Sequence, residues 1–222
     1  MLITNGPGDD KKREILHQYR LTPVMHTRLL QGMALRCCCG RPLEDRYYQF
    51  DATERSTGKT VAILYAGDKG CAARFFDLSE ELAAALSDKP MTPLPFFDPL
   101  RGEPEEAVSG GRGNGESHGR GGMHPLNKEV VCAINLTLMC WGAFIHPGSL
   151  FSKLLEQIRQ LPDRPLYDWK VKAVNTAISK GCRRLSTMLD EKRPQNPKLR
   201  RFEFPLMEAC LQRFEPPPES YL

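Results

Sequence analysis

The residues best suited to chemistry are Cys37-Cys38-Cys39-Gly40-Arg41-Pro42-Leu43 and, further along, Gly67-Asp68-Lys69-Gly70-Cys71-Ala72. Thiolates are metal ligands, and their spacing here suits one ion. In an extended chain, residues i and i+2 project to the same side, so Cys37 and Cys39 converge while Cys38 points away. Gly40 permits the sharp reversal that a metal knuckle requires. Cys71 arrives at the predicted start of a helix, where the positive end of the dipole favours a thiolate. This is how a zinc-ribbon-like or treble-clef-like zinc site is assembled. The fourth ligand is open: His26 is the first candidate, Cys38 the second and His17 a more distant third. All the identified ligands are thiolates, and no water-activating Glu or His lies nearby, so the expected zinc is structural.

Metal ligands must be carried by elements, and the sequence suggests which. Residues 46–53 and 59–66 are rich in aromatic and β-branched side chains and flank Ser56-Thr57-Gly58. They read as a β-hairpin between the two cysteine groups. A hairpin this small does not stand alone, and a bound metal would fold it. Residues 9–20 read as a short helix with acidic residues at its start, 71–76 as a helical turn, and 80–86 as a helix capped by Ser79. Four prolines between residues 89 and 99 stop regular structure.

Residues 101–124 hold 8 glycines and one bulky aliphatic side chain, Val108. Such a segment buries too little surface to offset its ordering entropy and reads as a flexible linker. The part beyond it is helical by pattern. Asn127 is the expected cap of a helix through Trp141, Ser149 of one through Gln160, and 205–214 form a last short helix. From Asp168, apolar residues recur at Val171, Val174, Ile178, Cys182, Leu185 and Leu189, one stripe at helical period. Cys132, Cys140, Cys182 and Cys210 read as small core residues. The expected fold class is therefore α+β. A zinc-ribbon-like hairpin unit (1–100) is joined by a flexible Gly-rich linker (101–124) to a basic helical bundle (125–222).

The 222 residues carry a formal charge of +4, unevenly spread. Residues 153–213 hold 14 Lys+Arg against 7 Asp+Glu, and residues 77–106 hold 2 against 8. A basic C-terminal part suits a polyanion, most simply nucleic acid. Candidate contacts are Lys11, Lys12 and Arg13, then Arg36 and Arg41 beside the knuckle, then Lys180, Arg183 and Arg184 off the apolar stripe. No run of about 18 apolar residues predicts a membrane span. The N-terminal stretch has no apolar core and carries Asp9, Asp10, Lys11, Lys12 and Arg13, unlike a secretory signal. The expectation is the reducing cytoplasm, where eight cysteines are thiols or metal ligands rather than disulfides.

Other motifs fail. Gly58-Lys59-Thr60 lacks the glycine a phosphate loop needs five residues before Gly58, where Thr53 stands, and Lys59 enters a strand. His118, His124 and His146 have no metal-ligand spacing. No nucleophile–base pair is legible, so the expectation is a protein that is not an enzyme.

The order of a C-x-C-G knuckle (Cys37, Cys39, Gly40), a hairpin, a G-x-x-G-C-A turn (Gly67, Gly70, Cys71, Ala72), a flexible break and a basic helical part resembles a known family. It is similar to the small zinc-finger version of the large subunit of type IV CRISPR effector complexes. The specific likeness covers residues 37–72, and the rest agrees in size and character. The resemblance implies a non-catalytic subunit of an antiviral-defence ribonucleoprotein. Such a subunit holds the 5′ end of a guide RNA and recognises the short duplex motif beside the target double-stranded DNA, among other subunits of the complex. The alternative is a stand-alone zinc-containing DNA-binding regulator encoded on a mobile element, and a third possibility is an enzyme with an unrecognised site. Neither a legible recognition helix nor convergent acids support these two.

Overall fold

The computed structural model describes residues 8–101, 122–141 and 150–222. The expected linker falls largely outside them, as does Ser149. Helix α1 (Asp9–Gln18) runs directly into strand β1 (Tyr19–Arg28), followed by β2 (Arg46–Glu54) and β3 (Thr60–Gly67). The three strands form one antiparallel sheet in the order β1-β2-β3. The chain is thus α+β as expected, but the hairpin has gained a third strand. Residues 19–20, expected at the end of α1, belong to β1. That strand hides from pattern reading for a physical reason. Pro23 has no N–H to give a ladder, and the register shifts between Pro23 and Met25. Both are tolerated because β1 lies at the sheet edge.

After β3, a π-helical turn (Asp68–Ala72) leads into α2 (Ala73–Leu86), one continuous helix. Ser79 therefore lies inside a helix and is not its cap. Its hydroxyl donates to the Phe76 carbonyl (2.8 Å) and accepts from the Met91 N–H (3.1 Å). This tethers the proline-rich segment against α2. The segment then lays Phe97 beside β1: the Phe97 N–H donates to the His26 carbonyl, and Thr27 Oγ1 donates to the Phe97 carbonyl, both at 2.9 Å.

The second half contains α3 (Pro125–Trp141), α4 (Leu150–Gln160), α5 (Asp168–Ser179), α6 (Leu185–Lys192) and α7 (Pro205–Leu211). Helix α3 is capped by His124, whose Nδ1 accepts the Leu126 N–H at 3.2 Å, ahead of Pro125 in the first helical position. Asn127 is not the cap. It is fully buried, donates to the Pro162 and Arg164 carbonyls (3.0 and 2.7 Å) and accepts the Leu166 N–H (3.1 Å). One side chain thus pairs three backbone groups of the α4–α5 connection. Glu129 of α3 likewise accepts the Leu206 and Met207 N–H groups at the start of α7 (3.2 and 2.9 Å).

The single helix expected from Asp168 to Leu189 is two helices. The break holds Gly181, packed so closely under the Trp141 indole that a Cβ there would lie 2.8 Å from its Nε1. Cys182 follows with φ +57°. The apolar stripe continues on both sides because Val171, Val174 and Ile178, then Leu185 and Leu189, all face the core. Cys182 itself is exposed, contrary to expectation. Cys210 is buried, and Cys132 and Cys140 are half-buried.

The two halves meet in one continuous apolar core. Asn196 accepts the Gln31 N–H at 2.9 Å and donates to the Gln31 carbonyl at 3.2 Å. Phe97 packs near Phe202 with ring centroids 6.3 Å apart. Among the described residues no helix is long and apolar enough to cross a membrane.

Candidate metal centre

The knuckle is a tight hairpin closed by backbone bonds. The Leu43 N–H donates to the Leu35 carbonyl (2.9 Å), Cys37 N–H to the Arg41 carbonyl (2.8 Å) and Gly40 N–H to the Cys37 carbonyl (2.8 Å). Gly40 has φ +85°, a conformation costly for any residue with a Cβ. Arg36 braces the turn by donating to the Gly40 carbonyl at 3.2 Å. The Cys38 N–H donates to the Tyr65 carbonyl at 2.7 Å and docks the knuckle on β3. Just past that end of β3, the π-helical turn brings Cys71 to the same place. Single π-turns recur at functional sites, and this one positions a ligand.

The sulfurs of Cys37, Cys39 and Cys71 all lie within 4.8 Å of one another, so this cluster could hold a metal ion. A tetrahedral zinc site with bonds of about 2.3 Å sets its sulfurs about 3.8 Å apart. The cluster is thus close to binding distance.

Cys38 departs from the expectation that it points away. It is fully buried, and its Sγ lies 3.9 Å from that of Cys37. The alternation argument fails here because residues 37–40 form a turn rather than an extended strand. His26 is not part of the cluster. Its Nδ1 lies 3.1 Å from the Leu94 carbonyl, and its Nε2 faces Asp68 at 3.4 Å. Burial lowers its pKa below the usual 6.5, opposed by the Leu94 carbonyl and Asp68.

Side-chain contacts with Cys38 and then Cys71, helped by the backbone at Cys39 and Gly67 and opposed by burial, hold the Cys37 pKa far below the ordinary thiol range. Cys71 is pushed up to about 12, chiefly as the donor to Cys37, with burial adding to it. Cys38 is raised further by its bond to Cys37, its interaction with Cys71 and its burial.

The cluster opens on a cavity of about 930 Å³. Cations from separate elements line it: Lys12 of α1, Arg41 of the knuckle, Arg46 of β2, Lys69 of the π-turn and Arg74 of α2. Acidic Asp9, Glu44, Asp45 and Asp68 also line it. Lys12 is only 3% exposed, with Nζ 3.9 Å from Asp9, while Arg74 bonds Asp9 (2.9 Å) and Glu81 (3.0 Å). Arg46 stacks over Phe96 with 4.0 Å to the ring centroid.

The structure therefore gathers Cys37, Cys39, Cys71, Lys12 and Arg41 around one space. It places the other nominated cations elsewhere. Lys11 pairs with Glu14 at 3.0 Å and Arg13 with Glu81 at 2.6 Å. Lys180, Arg183 and Arg184 lie in the break between α5 and α6 rather than along a helix face. Arg183 Nη1 binds both carboxylate oxygens of Glu191 (2.9 and 2.8 Å), and Arg184 binds Glu219 at 3.0 Å. Arg46, Lys69 and Arg74 were missed. Their one sequence signal was proximity to the knuckle or to Cys71.

The fold and site define a small α+β protein with a thiol cluster set on the edge of a three-stranded sheet. A model of the family described as "Uncharacterised conserved protein UCP028583" matches residues 4–222, and the chain belongs to that family. No curated protein and no solved structure matches it.

Proposed function

We propose that the protein is a zinc-stapled, non-catalytic nucleic-acid-binding subunit of a larger ribonucleoprotein. The observation that carries this reading is the shared cavity. Three thiols and five cations drawn from five different segments line one concave space, with Asp9, Glu44, Asp45 and Asp68 among them. Zinc suits the all-sulfur donor set and would fix the knuckle to the π-turn, so that Arg41 and Lys69 keep their positions on either side. Phosphates of a nucleic-acid backbone suit the cations, and arginines beside the knuckle suit base edges in a groove. Within this reading, the type IV CRISPR large subunit remains the specific proposal. Its partners would be a guide RNA, target double-stranded DNA and the other effector subunits, in the cytoplasm. The likeness at residues 37–72 supports it.

The test has two arms. The protein expressed with its neighbouring genes should co-purify with a discrete RNA. In the purified protein, Arg41→Glu with Lys69→Glu should weaken binding to duplex DNA. The same pair should flatten the salt slope by up to about 0.9 for each phosphate that is no longer neutralised. Unchanged affinity and salt slope, together with no bound RNA, would overturn the reading.

A further inference from the structure

A second surface stands out at the other end of the chain. Of the five large apolar side chains exposed among the described residues, Tyr167 (69%), Trp169 (59%) and Leu206 (40%) line a single cavity of about 710 Å³. The cavity lies at the starts of α5 and α7, with Phe214 on its wall, and shares no lining residue with the metal-centre cavity. Apolar side chains gathered in this way mark an interaction surface.

The charges around it select the partner. Around the start of α5, residues 164–172 carry Arg164, Lys170 and Lys172 against Asp168 alone. Asp168 is engaged by Arg213, whose Nη1 lies 3.1 Å from both carboxylate oxygens. Lys170 Nζ sits 5.2 Å from the Trp169 ring centroid and donates to Gln157 of α4, and Lys172 Nζ sits 4.6 Å from the Phe214 ring centroid. Exposed aromatic faces edged by lysines match an unpaired nucleic-acid strand: each base offers a π-face for stacking, and each phosphate meets a cation. A duplex does not fit, because its bases are already stacked and shielded.

We propose that Tyr167 and Trp169 form a stacking platform for single-stranded nucleic acid, with Lys170 and Lys172 as its phosphate contacts. This places a single-strand site apart from the metal centre. It rests on the nucleic-acid reading above and extends it to a second surface.

The chain has two tryptophans, so Trp141→Phe leaves Trp169 as the one indole reporter. Titration with a 12-nucleotide oligouridylate should quench Trp169 saturably, whereas a duplex of equal length should not. In the otherwise unaltered chain, Trp169→Ala should weaken oligouridylate binding roughly 5- to 150-fold in an electrophoretic shift, the range for loss of one stacked base. Trp169 is exposed, so this change leaves the core intact and does not depend on the Trp141→Phe variant folding. Lys170→Glu with Lys172→Glu should flatten the salt dependence.

Oligouridylate binding that neither quenches Trp169 nor weakens in Trp169→Ala would overturn the platform. Sensitivity to Arg41→Glu with Lys69→Glu would then leave the nucleic-acid reading standing. Equal binding of duplex at this surface would also overturn the platform, and no binding of any nucleic acid would overturn both.

Discussion

His26 stacks face to face on Tyr48, with ring centroids 3.9 Å apart and 14° between the planes. The Leu94 carbonyl accepts from the Tyr48 hydroxyl at 3.3 Å and lies 3.1 Å from His26 Nδ1, which therefore carries the proton. This arrangement commits His26 to joining the sheet to the proline-rich segment, which is why it is not among the converging ligands.

The same burial gives His26 a signature in pH. Its folded pKa lies below 6.5, so the unfolded chain takes up a proton first as the solution is acidified. Its contribution to stability is fully present above pH 6.5. It is lost as pH falls from there towards the lowered folded value, with a slope of at most about 1.4 kcal/mol per pH unit. Denaturant midpoints at pH 7.5 and 5.5 should separate less in His26→Asn, whose amide can still donate to Leu94. An equal separation in both proteins would refute this role.

One metal ion per chain is expected, held by Cys37, Cys39 and Cys71. Elemental analysis should return zinc near unit stoichiometry in the native protein and near zero in Cys71→Ser. Structural zinc is worth about 10–16 kcal/mol in small peptides, so the sheet should also unfold far more easily in that variant. Cys182→Ser, at an exposed position, is the control and should keep its metal. Cys38→Ser asks whether the fourth thiol closes the site: weakened zinc retention would make it a ligand, and full retention would leave it as packing.

Asn127 pairs three backbone groups at once, so its loss should be costly. Asn127→Asp keeps the shape and the acceptor but removes the amide donor, stranding the Pro162 and Arg164 carbonyls beside a buried carboxyl. A loss of about 2–4 kcal/mol is expected in equilibrium unfolding. A loss below about 0.5 kcal/mol would mean that the α4–α5 connection is held by something else.

The shared core predicts how the chain behaves when cut. A protease site engineered between Gly110 and Gly122 should yield two fragments that elute together under native conditions, because Phe97, Phe202, Gln31 and Asn196 hold the halves together. Fragments that elute separately and stay folded would instead restore two independent units.

Much of the site was legible because it depends on local spacing. The Cys-x-Cys-Gly reversal and the return of the hairpin towards Cys71 need only short-range geometry, and the structure keeps both. What the sequence concealed lies in tertiary detail. Strand β1 is masked by Pro23 and its bulge, which an edge position makes tolerable. The stripe from Val171 to Leu189 survives a helix break, because the residues on both sides still face one core. Cys38 was misjudged because period-two alternation was applied to a turn. The cations of the metal-centre cavity come from five separate segments, and no pattern along the chain brings them together.

The pairing of Gln31 with Asn196 joins residues 165 positions apart. A nascent chain that has exposed its whole sheet still lacks this partner, as well as Phe202 for Phe97, until residues 196–202 have also left the ribosome. Closing so long a loop surrenders chain entropy before contacts repay it, which slows folding. The sheet half must therefore wait in an incompletely covered state during synthesis. Early metal capture at the knuckle, which needs only residues 37–71, would hold that half in order until the helices arrive.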